Sequence, residues 1–355
     1  MSYGYDKDDT RALDAITEAQ RIAFAPMLFQ AAINLRNYGI LSFLDDAGTD
    51  GVLLDDIVAA TSLNRYAVEL LLDVGLSGRM VILRDERYYL AKVGHYLIHD
   101  RMTRVNMDFT QDVCYQGMFH LDEALSQNKP VGLNIFGDWP TIYPALSQLP
   151  QKVKESWFAF DHFYSDAAFK AALLHIFMYK PKQLYDVGGN TGKWAMCCYD
   201  HDQDVHISIL DLPEQIALSV ANIADAGKSD RINGIAVDML SDCKLPGEAD
   251  IWWMSQFLDC FSEEQIVAIL RKIALAMKAD ARVCILEIFW DCQPWEAGAF
   301  SLNASSLYFT CIANGNSRFY AARRFLPLLT EAGFVVEKQV DGLGIGHSLL
   351  ICKKQ

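Results

Sequence analysis

The spacing of apolar positions changes twice along the chain. From about Thr10 to Asp108 apolar residues recur at helical spacing, as in "AFAPMLFQAAINLRNYGILSFLDD", which predicts amphipathic helices. A second helical stretch, residues 109–180, is rich in aromatic residues that either line a pocket or form ordinary core. From Lys182 onward short apolar runs alternate with helical segments. These changes predict three regions: 1–108, 109–180 and 181–355.

The first region reads as a helix, a turn and a second helix, followed by two short strands around Asp85 and Glu86. This is a winged-helix pattern, and helix-turn-helix folds often bind DNA. Residues 36–108 contain eight Arg and Lys against eleven Asp and Glu, whereas a DNA-binding surface should be basic. We therefore interpret 1–108 as a winged-helix-like dimerisation domain and 109–180 as a helical linker and substrate lid.

In the third region five apolar runs are separated by helical stretches, which predicts parallel strands joined by crossover helices. The predicted strands are 183–187, 206–211, 232–237, 250–255 and 282–288. Two further runs, 334–341 and 347–354, have no helix between them and predict an antiparallel last strand. The predicted fold class is α/β, with a Rossmann-like, mostly parallel sheet that binds ligands at the carboxyl ends of its strands.

Composition narrows the classes of partner. The chain has 45 Asp and Glu against 31 Lys and Arg, a net charge of −14, which disfavours nucleic acid and anionic membranes. The N-terminus lacks the apolar core of a signal peptide and no run of 18 apolar residues occurs, so we expect a cytoplasmic protein. Nine scattered cysteines without a CxxC pair indicate reduced, mostly packed thiols, and no metal site is expected.

The segment "DVGGNTG", residues 186–192, joins the first strand of the predicted sheet to a helix. Gly188 and Gly189 permit positive φ and close approach of a ligand to the backbone. The segment departs from the dinucleotide-binding GxGxxG motif, because Asn190 and Lys193 stand where that motif requires glycine. The GKS or GKT of a triphosphate site is also missing. The loop is therefore either a tight turn or a site for a ligand other than NAD or ATP.

Acidic residues end the next two predicted strands. Asp211, in "ILD", can accept both hydroxyl groups of a ribose. Asp238 and the apolar Met239 follow the third strand, where they can hold the amino group and the face of an adenine. Each acid could also be an exposed strand-end residue with no ligand. Because three such acids, including Asp186, follow neighbouring strands, a nucleoside ligand is the favoured interpretation.

Five segments of this sequence occur together in a known family. "DVGGNTG", "LDLPEQ", "VDML", "FSEEQIVAIL" and "LLTEAGF" follow one another behind the winged-helix half. In this the chain resembles the S-adenosylmethionine-dependent O-methyltransferases of the plant caffeate/isoflavone type and their bacterial polyketide-tailoring relatives, over nearly its whole length. The resemblance implies a class I methyltransferase sheet, S-adenosylmethionine as cofactor, and a homodimer formed through the N-terminal domain.

The resemblance also indicates where the cofactor binds. The predicted cofactor-binding residues are Asp186, Gly188, Gly189, Asn190, Asp211, Leu212, Asp238, Met239, Ser255 and Gln256. The family has a third glycine where this chain has Asn190, but asparagine adopts left-handed backbone more readily than most residues. We therefore expect the cofactor site to be retained.

The segment that carries the family's catalytic histidine is altered. Family members use an L-H-D-W-S-D-E segment after the fourth strand, and here the segment reads "FLDCFSEEQ". Ser262 and Gln265 have capping-box spacing, which predicts the start of a helix and so sets the alignment. In that alignment Asp259 replaces the histidine, Cys260 the following acid and Phe261 the tryptophan.

A second acid supports the same alignment. Glu287, in "ILEIF", matches the family's acid at the end of the fifth strand. A later family acid, in an E-R-T segment, has no counterpart in "NSRFYAARRF", and a lysine that often precedes the histidine is absent near Ser255 and Gln256. The catalytic residues predicted here are Asp259 and Glu287.

An aspartate of ordinary pKa is a weak base toward a phenol, but burial beside Glu287 would raise the pKa of Asp259. The alternative is a structural or substrate-orienting role for Asp259. Two residues of the aromatic stretch, His162 and Tyr164, are further candidates for the base or for substrate contact. Arg318 and Tyr320 are candidates for holding an acidic or phenolic substrate.

Taken together, these residues predict methyl transfer to a small aromatic, phenolic molecule. O-methylation is the first hypothesis. C-methylation of a hydroxyaryl ring is the second, because an ionised phenol is nucleophilic at its ortho carbon as well as at oxygen. A noncatalytic, cofactor-binding or regulatory homologue is the third, because the histidine and the late acid are missing.

Overall fold

A computed structural model describes Tyr3 and residues 5–355, and its chain separates into two compact units that divide between residues 111 and 112. The first unit contains α1 (Ala12–Ala23), α2 (Ala25–Asn37), α3 (Ile40–Ala47), β1 (Val52–Leu53), α4 (Leu54–Ala60), α5 (Arg65–Ser77), β2 (Val81–Arg84), β3 (Arg87–Leu90), α6 (Lys92–His99) and α7 (Arg101–Phe109). The second unit begins with α8 (Leu121–Gln127), α9 (Gln151–Ile176), β4 (Gln183–Val187), α10 (Lys193–His201), β5 (His206–Asp211), α11 (Pro213–Asp225) and β6 (Ile232–Ala236). It continues with β7 (Ile251–Ser255), α12 (Glu263–Ala276), β8 (Arg282–Glu287), α13 (Glu296–Tyr308), α14 (Ala322–Glu331), β9 (Phe334–Leu343) and β10 (His347–Lys354).

The first unit has the predicted winged-helix architecture. Asn64 caps α5 by accepting a hydrogen bond from the Ala67 amide, so α4 and α5 form the expected helix, turn and helix. The strands β2 and β3 form an antiparallel hairpin, with β1 beside β3. Asp85 and Glu86, at its turn, have φ of 49° and 58°, as a two-residue hairpin turn that matches strand twist requires.

The second unit is built on a seven-stranded sheet of order β6-β5-β4-β7-β8-β10-β9. All neighbouring strands from β6 to β8 are parallel, and β10 is antiparallel to both β8 and β9. The predicted fold class, including the antiparallel last strand, is confirmed. The predicted strands agree with the observed ones to within two residues at each end.

Helices cover both faces of this sheet. The adjacent residues Trp252 and Trp253 of β7 point to opposite faces, because side chains alternate along a strand. Trp253 stacks on Trp194 of α10 at 3.9 Å between ring centroids, whereas Trp252 meets Tyr185 edge-on at 4.9 Å. Both tryptophans are fully buried. Only the ends of the central strands are therefore left to hold a ligand.

The aromatic stretch 109–180 was predicted to be a region of its own. From residue 112 onward it belongs to the second unit, and its longest helix, α9, has 26 residues. Ser165, Ala168, Phe169 and Ala172 of α9 are buried. Burial joins this stretch to the sheet domain, while its role as a substrate lid stays a prediction. Among the residues described, no helix has the length and apolarity needed to cross a bilayer.

Candidate functional site

The carboxyl ends of the parallel strands meet at one edge of the second unit, because parallel strands all point the same way. The strand β4 runs into the glycine loop, β5 ends at Asp211, β7 ends at Ser255 and β8 ends at Glu287. The pairing of β4 with β5 and β7, and of β7 with β8, keeps these ends adjacent. Most of the predicted site residues therefore lie along a single edge.

The glycine loop has the backbone that its sequence predicts. Gly188, Asn190 and Gly192 have φ of 73°, 48° and 82°, which confirms that Asn190 adopts left-handed backbone. A Cβ at Gly188 would lie 2.2 Å from the Phe257 ring, and one at Gly189 would lie 2.7 Å from the Asp186 carboxylate. The protein's own packing therefore requires both glycines, in addition to any ligand, which the sequence alone did not reveal.

Asp211 holds this loop closed. Its Oδ2 accepts a hydrogen bond from the Asn190 amide at 2.9 Å, and its Oδ1 accepts one from the Leu212 amide at 2.8 Å. Burial raises the pKa of the Asp211 carboxyl. A carboxylate has about four acceptor positions, so Asp211 retains capacity for the two hydroxyl groups of a ribose.

Three buried polar atoms near this edge have no hydrogen-bond partner: Asp186 Oδ2, Asn190 Oδ1 and Ser255 Oγ. Buried polar groups are normally paired, since leaving one unpaired costs about 1–3 kcal/mol. S-adenosylmethionine carries an ammonium, a carboxylate and ribose hydroxyls, and these groups complement unpaired carboxylate, amide and hydroxyl groups. The residues present at the strand ends therefore fit this cofactor.

The remaining predicted cofactor residues have different surroundings. Asp238 is exposed and its Oδ1 accepts a hydrogen bond from the Leu240 amide at 2.8 Å, while the Met239 side chain is buried in the core. Gln256 has φ of 45°, its amide donates to the Leu286 carbonyl, and its Oε1 lies 3.5 Å from Nε2 of His347. Contact of Asp238 and Met239 with the adenine, and of Gln256 with the cofactor, stays a prediction.

Asp186 gives the site a testable dependence on pH. Burial, followed by the charge of Asp211, raises the pKa of Asp186 to about 8, whereas an unfolded aspartate titrates near 3.9. Between these values the folded state keeps a proton that the unfolded state has lost, so this residue's contribution to stability falls as pH rises. We expect Asp186→Asn to raise the free energy of unfolding of the cofactor-free protein more at pH 8 than at pH 5, by on the order of 1–3 kcal/mol.

Chemical denaturation at the two pH values measures this difference. Asp204→Asn is the control, because Asp204 is exposed and its carboxylate lies 3.2 Å from Lys182 Nζ. An equal gain at both pH values would show that Asp186 is ionised throughout that range in the folded protein.

The acidic pair that was predicted to be catalytic is buried. Asp259 lies in a short 3-10 turn, Leu258–Cys260, immediately before α12, and Glu287 ends β8. The predicted capping box of Ser262 and Gln265 is present, which confirms the start of this helix. Glu287 Oε1 accepts a hydrogen bond from the Leu258 amide at 3.0 Å, so Glu287 holds the turn that carries Asp259.

Burial shifts both acids toward the neutral form. It raises the pKa of Asp259 to about 7, an effect that a hydrogen bond from the Cys260 thiol opposes and the charge of Asp161 increases. Burial and the neighbouring charge of Asp259 raise the pKa of Glu287 well above its ordinary value. Burial is therefore the main cause of the raised pKa in both acids.

Asp161 is a residue of this site that sequence reasoning missed. It lies on α9, and its Oδ2 accepts a hydrogen bond from Asn190 Nδ2 at 3.2 Å. Burial raises the pKa of Asp161, while the nearby His162 lowers it. Asp161 thus connects the glycine loop to the surroundings of Asp259. The signal in the sequence was its place beside His162, but nothing local showed that it faces the strand ends.

Polar and aromatic side chains of the second unit surround the Asp259 turn. Asn314 Nδ2 donates to the Cys260 carbonyl at 2.8 Å and to the Tyr143 hydroxyl at 3.1 Å. Trp157 Nε1 donates to the Tyr308 hydroxyl at 2.6 Å, which links α9 to α13. None of these four residues was predicted to be in the site.

The predicted substrate residues fall into two groups. His162 lies on α9, with Nδ1 3.6 Å from Asp166 Oδ1 and 3.9 Å from Asp161 Oδ2, and Tyr164 is buried against Phe160 at 4.7 Å. The structure therefore brings His162 beside the site through Asp161. It places Tyr164 in the aromatic core.

The other two predicted substrate residues, Arg318 and Tyr320, line a separate recess. Arg318 is exposed, and the buried Tyr320 donates its hydroxyl hydrogen bond to the Phe261 carbonyl at 2.7 Å. The recess has a volume of about 250 Å³, and its lining residues are Trp290, Arg318, Tyr320, Ala321, Arg323 and Arg324. Residues of the glycine loop do not line it, so substrate contact by Arg318 and Tyr320 stays a prediction.

Two family models match this chain. A model described as an O-methyltransferase domain matches residues 162–335, which include the strands β4 to β8 and the Asp259 turn. A model described as a Dimerisation2-like domain matches residues 17–88, within the winged-helix unit. The two matches follow the division of the chain into two units.

Individual proteins that are similar to this chain in sequence or in structure are also methyltransferases. The chain is 27% identical to the L-tyrosine C(3)-methyltransferase of Streptomyces lavendulae over 311 residues, which cover 86% of this chain and 84% of that protein. The solved structure of the S-adenosylmethionine-dependent methyltransferase SibL in its apo form has a TM-score of 0.72 and 21% identity, over 94% of this chain and 98% of that chain. The O-methyltransferase NcsB1, solved with S-adenosylmethionine and 2-hydroxy-5-methyl naphthoic acid, has a TM-score of 0.65 and 18% identity, over 98% and 100%.

Proposed function

The chain belongs to the S-adenosylmethionine-dependent methyltransferases that combine a dimerisation domain with an O-methyltransferase domain, and we propose that it methylates a small hydroxylated aromatic molecule. The observation that carries this proposal is the Asp259 turn. A buried carboxylate of pKa about 7 lies there among aromatic side chains and is connected through Asp161 to the glycine loop. A general base works best when its pKa lies near the operating pH.

Different residues have different roles in the proposed reaction. Bound at the glycine loop and at Asp211, the cofactor supplies an electrophilic methyl group. Asp259 accepts the proton of the substrate hydroxyl, which makes the substrate nucleophilic. Glu287, whose Oε1 accepts a hydrogen bond from the Leu258 amide, keeps the turn in place.

The aromatic residues near this turn favour a flat substrate. Trp157 and Phe158 pack edge-on at 5.0 Å, and Phe158 stacks on His162 at 5.9 Å. Aromatic rings bind other rings by stacked and edge-on contact and exclude water from the reacting atoms. Removal of water also raises the strength of the charge interactions around Asp259.

C-methylation is the second candidate, and one observation favours it. The L-tyrosine C(3)-methyltransferase, a relative that matches 86% of this chain, is named for transfer to a ring carbon. A carboxylate that ionises a phenol activates its ortho carbon as well as its oxygen, so Asp259 suits either product. The orientation of the ring relative to the methyl group then decides which atom reacts.

Methyl transfer from 13C-methyl-labelled S-adenosylmethionine to a panel of phenolic acids, naphthoates and tyrosine tests the proposal. The 13C chemical shift of the product distinguishes a methyl group on oxygen from one on carbon. Calorimetry with the demethylated cofactor is run on the same protein. Cofactor binding without methylation of any phenolic compound would favour a noncatalytic, cofactor-binding homologue, and absence of both would overturn the cofactor site itself.

We also propose a homodimer formed through the first unit. The helix α1 has no buried residue, and its apolar side chains Leu13, Ile16 and Ile22 are 78%, 58% and 76% exposed. Such a face needs a partner surface, and the match to a dimerisation domain includes most of this helix. We expect the double variant Ile16→Asp, Ile22→Asp to be largely monomeric at micromolar concentration.

Light scattering after size-exclusion chromatography measures the mass of this variant. Gln20→Asp, which adds a charge to the same helix without removing an apolar side chain, should remain dimeric. A double variant with unchanged mass, or a wild-type protein that is already monomeric, would rule out α1 as the dimer interface.

A further inference from the structure

Two histidines and an aspartate come together on the first unit. His95 and His99 lie one turn apart on α6, and Asp45 lies near the end of α3. His99 Nε2 is 2.6 Å from Asp45 Oδ2, and His95 Nδ1 is 3.7 Å from Asp45 Oδ1. One ligand atom from each residue lies within 4.8 Å of the other two. No other group of this kind is found among the residues that the structure describes.

These spacings suit a shared metal ion. Zinc is held at about 2.0–2.2 Å by histidine nitrogen and carboxylate oxygen, and tetrahedral angles then separate two ligand atoms by about 3.3–3.6 Å. The observed separations lie on both sides of that value, so rotation of the side chains suffices to reach it. All three residues are at least one third exposed, which leaves room for water as the fourth ligand.

The local electrostatics also favour a cation. Asp45 lies in the last turn of α3, where the helix carries partial negative charge and an anion is destabilising. The His95 and His99 rings are 4.5 Å apart, so protonating both would place two like charges side by side. One divalent ion in contact with the carboxylate and with two neutral imidazoles relieves both problems.

We propose that Asp45, His95 and His99 bind a divalent transition-metal ion of the zinc type. The ion joins α3 to α6 and so stabilises the unit that matches the dimerisation domain. All three ligands belong to the first unit, whereas the glycine loop and Asp259 belong to the second. The sequence contains the necessary His-x-x-x-His spacing at 95–99, but the carboxylate comes from a different helix.

Cobalt(II) titration of the full chain without a histidine tag tests the proposal. Tetrahedral Co²⁺ absorbs in the visible region, and a cysteine ligand would add a thiolate charge-transfer band in the near ultraviolet. We expect one Co²⁺ per chain, visible absorption without a thiolate band, and displacement by Zn²⁺.

Three variants, His95→Ala, His99→Ala and Asp45→Asn, should each weaken binding by about tenfold or more. The matched control is His120→Ala, because His120 is as exposed as His99 (47% against 49%) and faces Glu123 at 3.8 Å. Zn²⁺ should also raise the melting temperature of the wild type and of the control, but not of the three variants. A thiolate band, binding that survives all three substitutions, or equal loss in the His120 variant would each overturn the assignment.

Discussion

The variant Asp259→Asn is expected to lower turnover by about 10²- to 10⁴-fold, the usual contribution of a general base, while leaving cofactor affinity nearly unchanged. Asparagine preserves the shape of the side chain but cannot accept a proton from the substrate. The residues that we propose for the cofactor, at the glycine loop and at Asp211, are unchanged in this variant, so the cofactor should bind as before. Steady-state rates together with calorimetry separate the two effects.

The pH profile gives the same prediction a second readout. A base acts when it is ionised, so with a pKa of about 7 for Asp259 the value of kcat/KM should rise with pH through about 7 and then level. Cys260→Ala removes the thiol that donates to the Asp259 carboxylate at 3.5 Å. Because this bond lowers the pKa of Asp259, its loss should move the rise of kcat/KM to higher pH. In Asp259→Asn the rise of kcat/KM with pH through about 7 should disappear.

Glu264→Gln is the matched control for Asp259→Asn, since Glu264 is an exposed acid on the following helix. Its rate and pH profile should equal those of the wild type. A loss of cofactor affinity in Asp259→Asn as large as the loss of turnover would indicate a structural role. Unchanged turnover would direct the search for the base to His162 and Asp161.

The second large effect is expected at Asp211. Asp211→Ala removes the acceptor that we propose for the ribose hydroxyls, and it leaves the Asn190 and Leu212 amides without their carboxylate partner. Hydrogen bonds to a charged group contribute about 1.5–3 kcal/mol each. The loss of the two bonds proposed from the ribose hydroxyls should therefore weaken binding of the demethylated cofactor on the order of 10²-fold or more.

Calorimetry with the demethylated cofactor measures this loss without requiring turnover. Glu214→Ala is the control, because Glu214 is an exposed acid three residues further on, in the first turn of α11. Affinity in Asp211→Ala within a few fold of the wild type would show that Asp211 only closes the loop. Circular dichroism of both variants excludes unfolding as the cause.

Local patterns predicted the sheet and the register of the catalytic segment well. Strands buried on both faces appear as short apolar runs bounded by turns, and all seven were found within two residues of their observed ends. The alignment that identified Asp259 depended on Ser262 and Gln265, whose capping box involves only neighbouring residues. Such features are local in sequence, so one sequence is enough to recognise them.

Features that depend on distant segments were missed. Asp161 approaches the strand ends only because α9 packs beside the glycine loop, as its bond with Asn190 shows. The same burial joined residues 112–180 to the sheet domain, where the sequence had suggested a separate region. Phe257, which excludes a side chain at Gly188, is far from that glycine along the chain.

By itself the sequence determined the order of strands and helices, the glycine loop and the acids at the strand ends, and it predicted Asp259 in place of the family's histidine. Tertiary structure alone decided the surroundings of these residues: the third acid Asp161, the raised pKa values of Asp259 and Glu287, and the cluster of Asp45 with two histidines. The physical reason is that hydrogen-bonding periodicity and capping act over a few residues. Burial, and the pKa shifts that follow from it, depend on which distant segments come into contact.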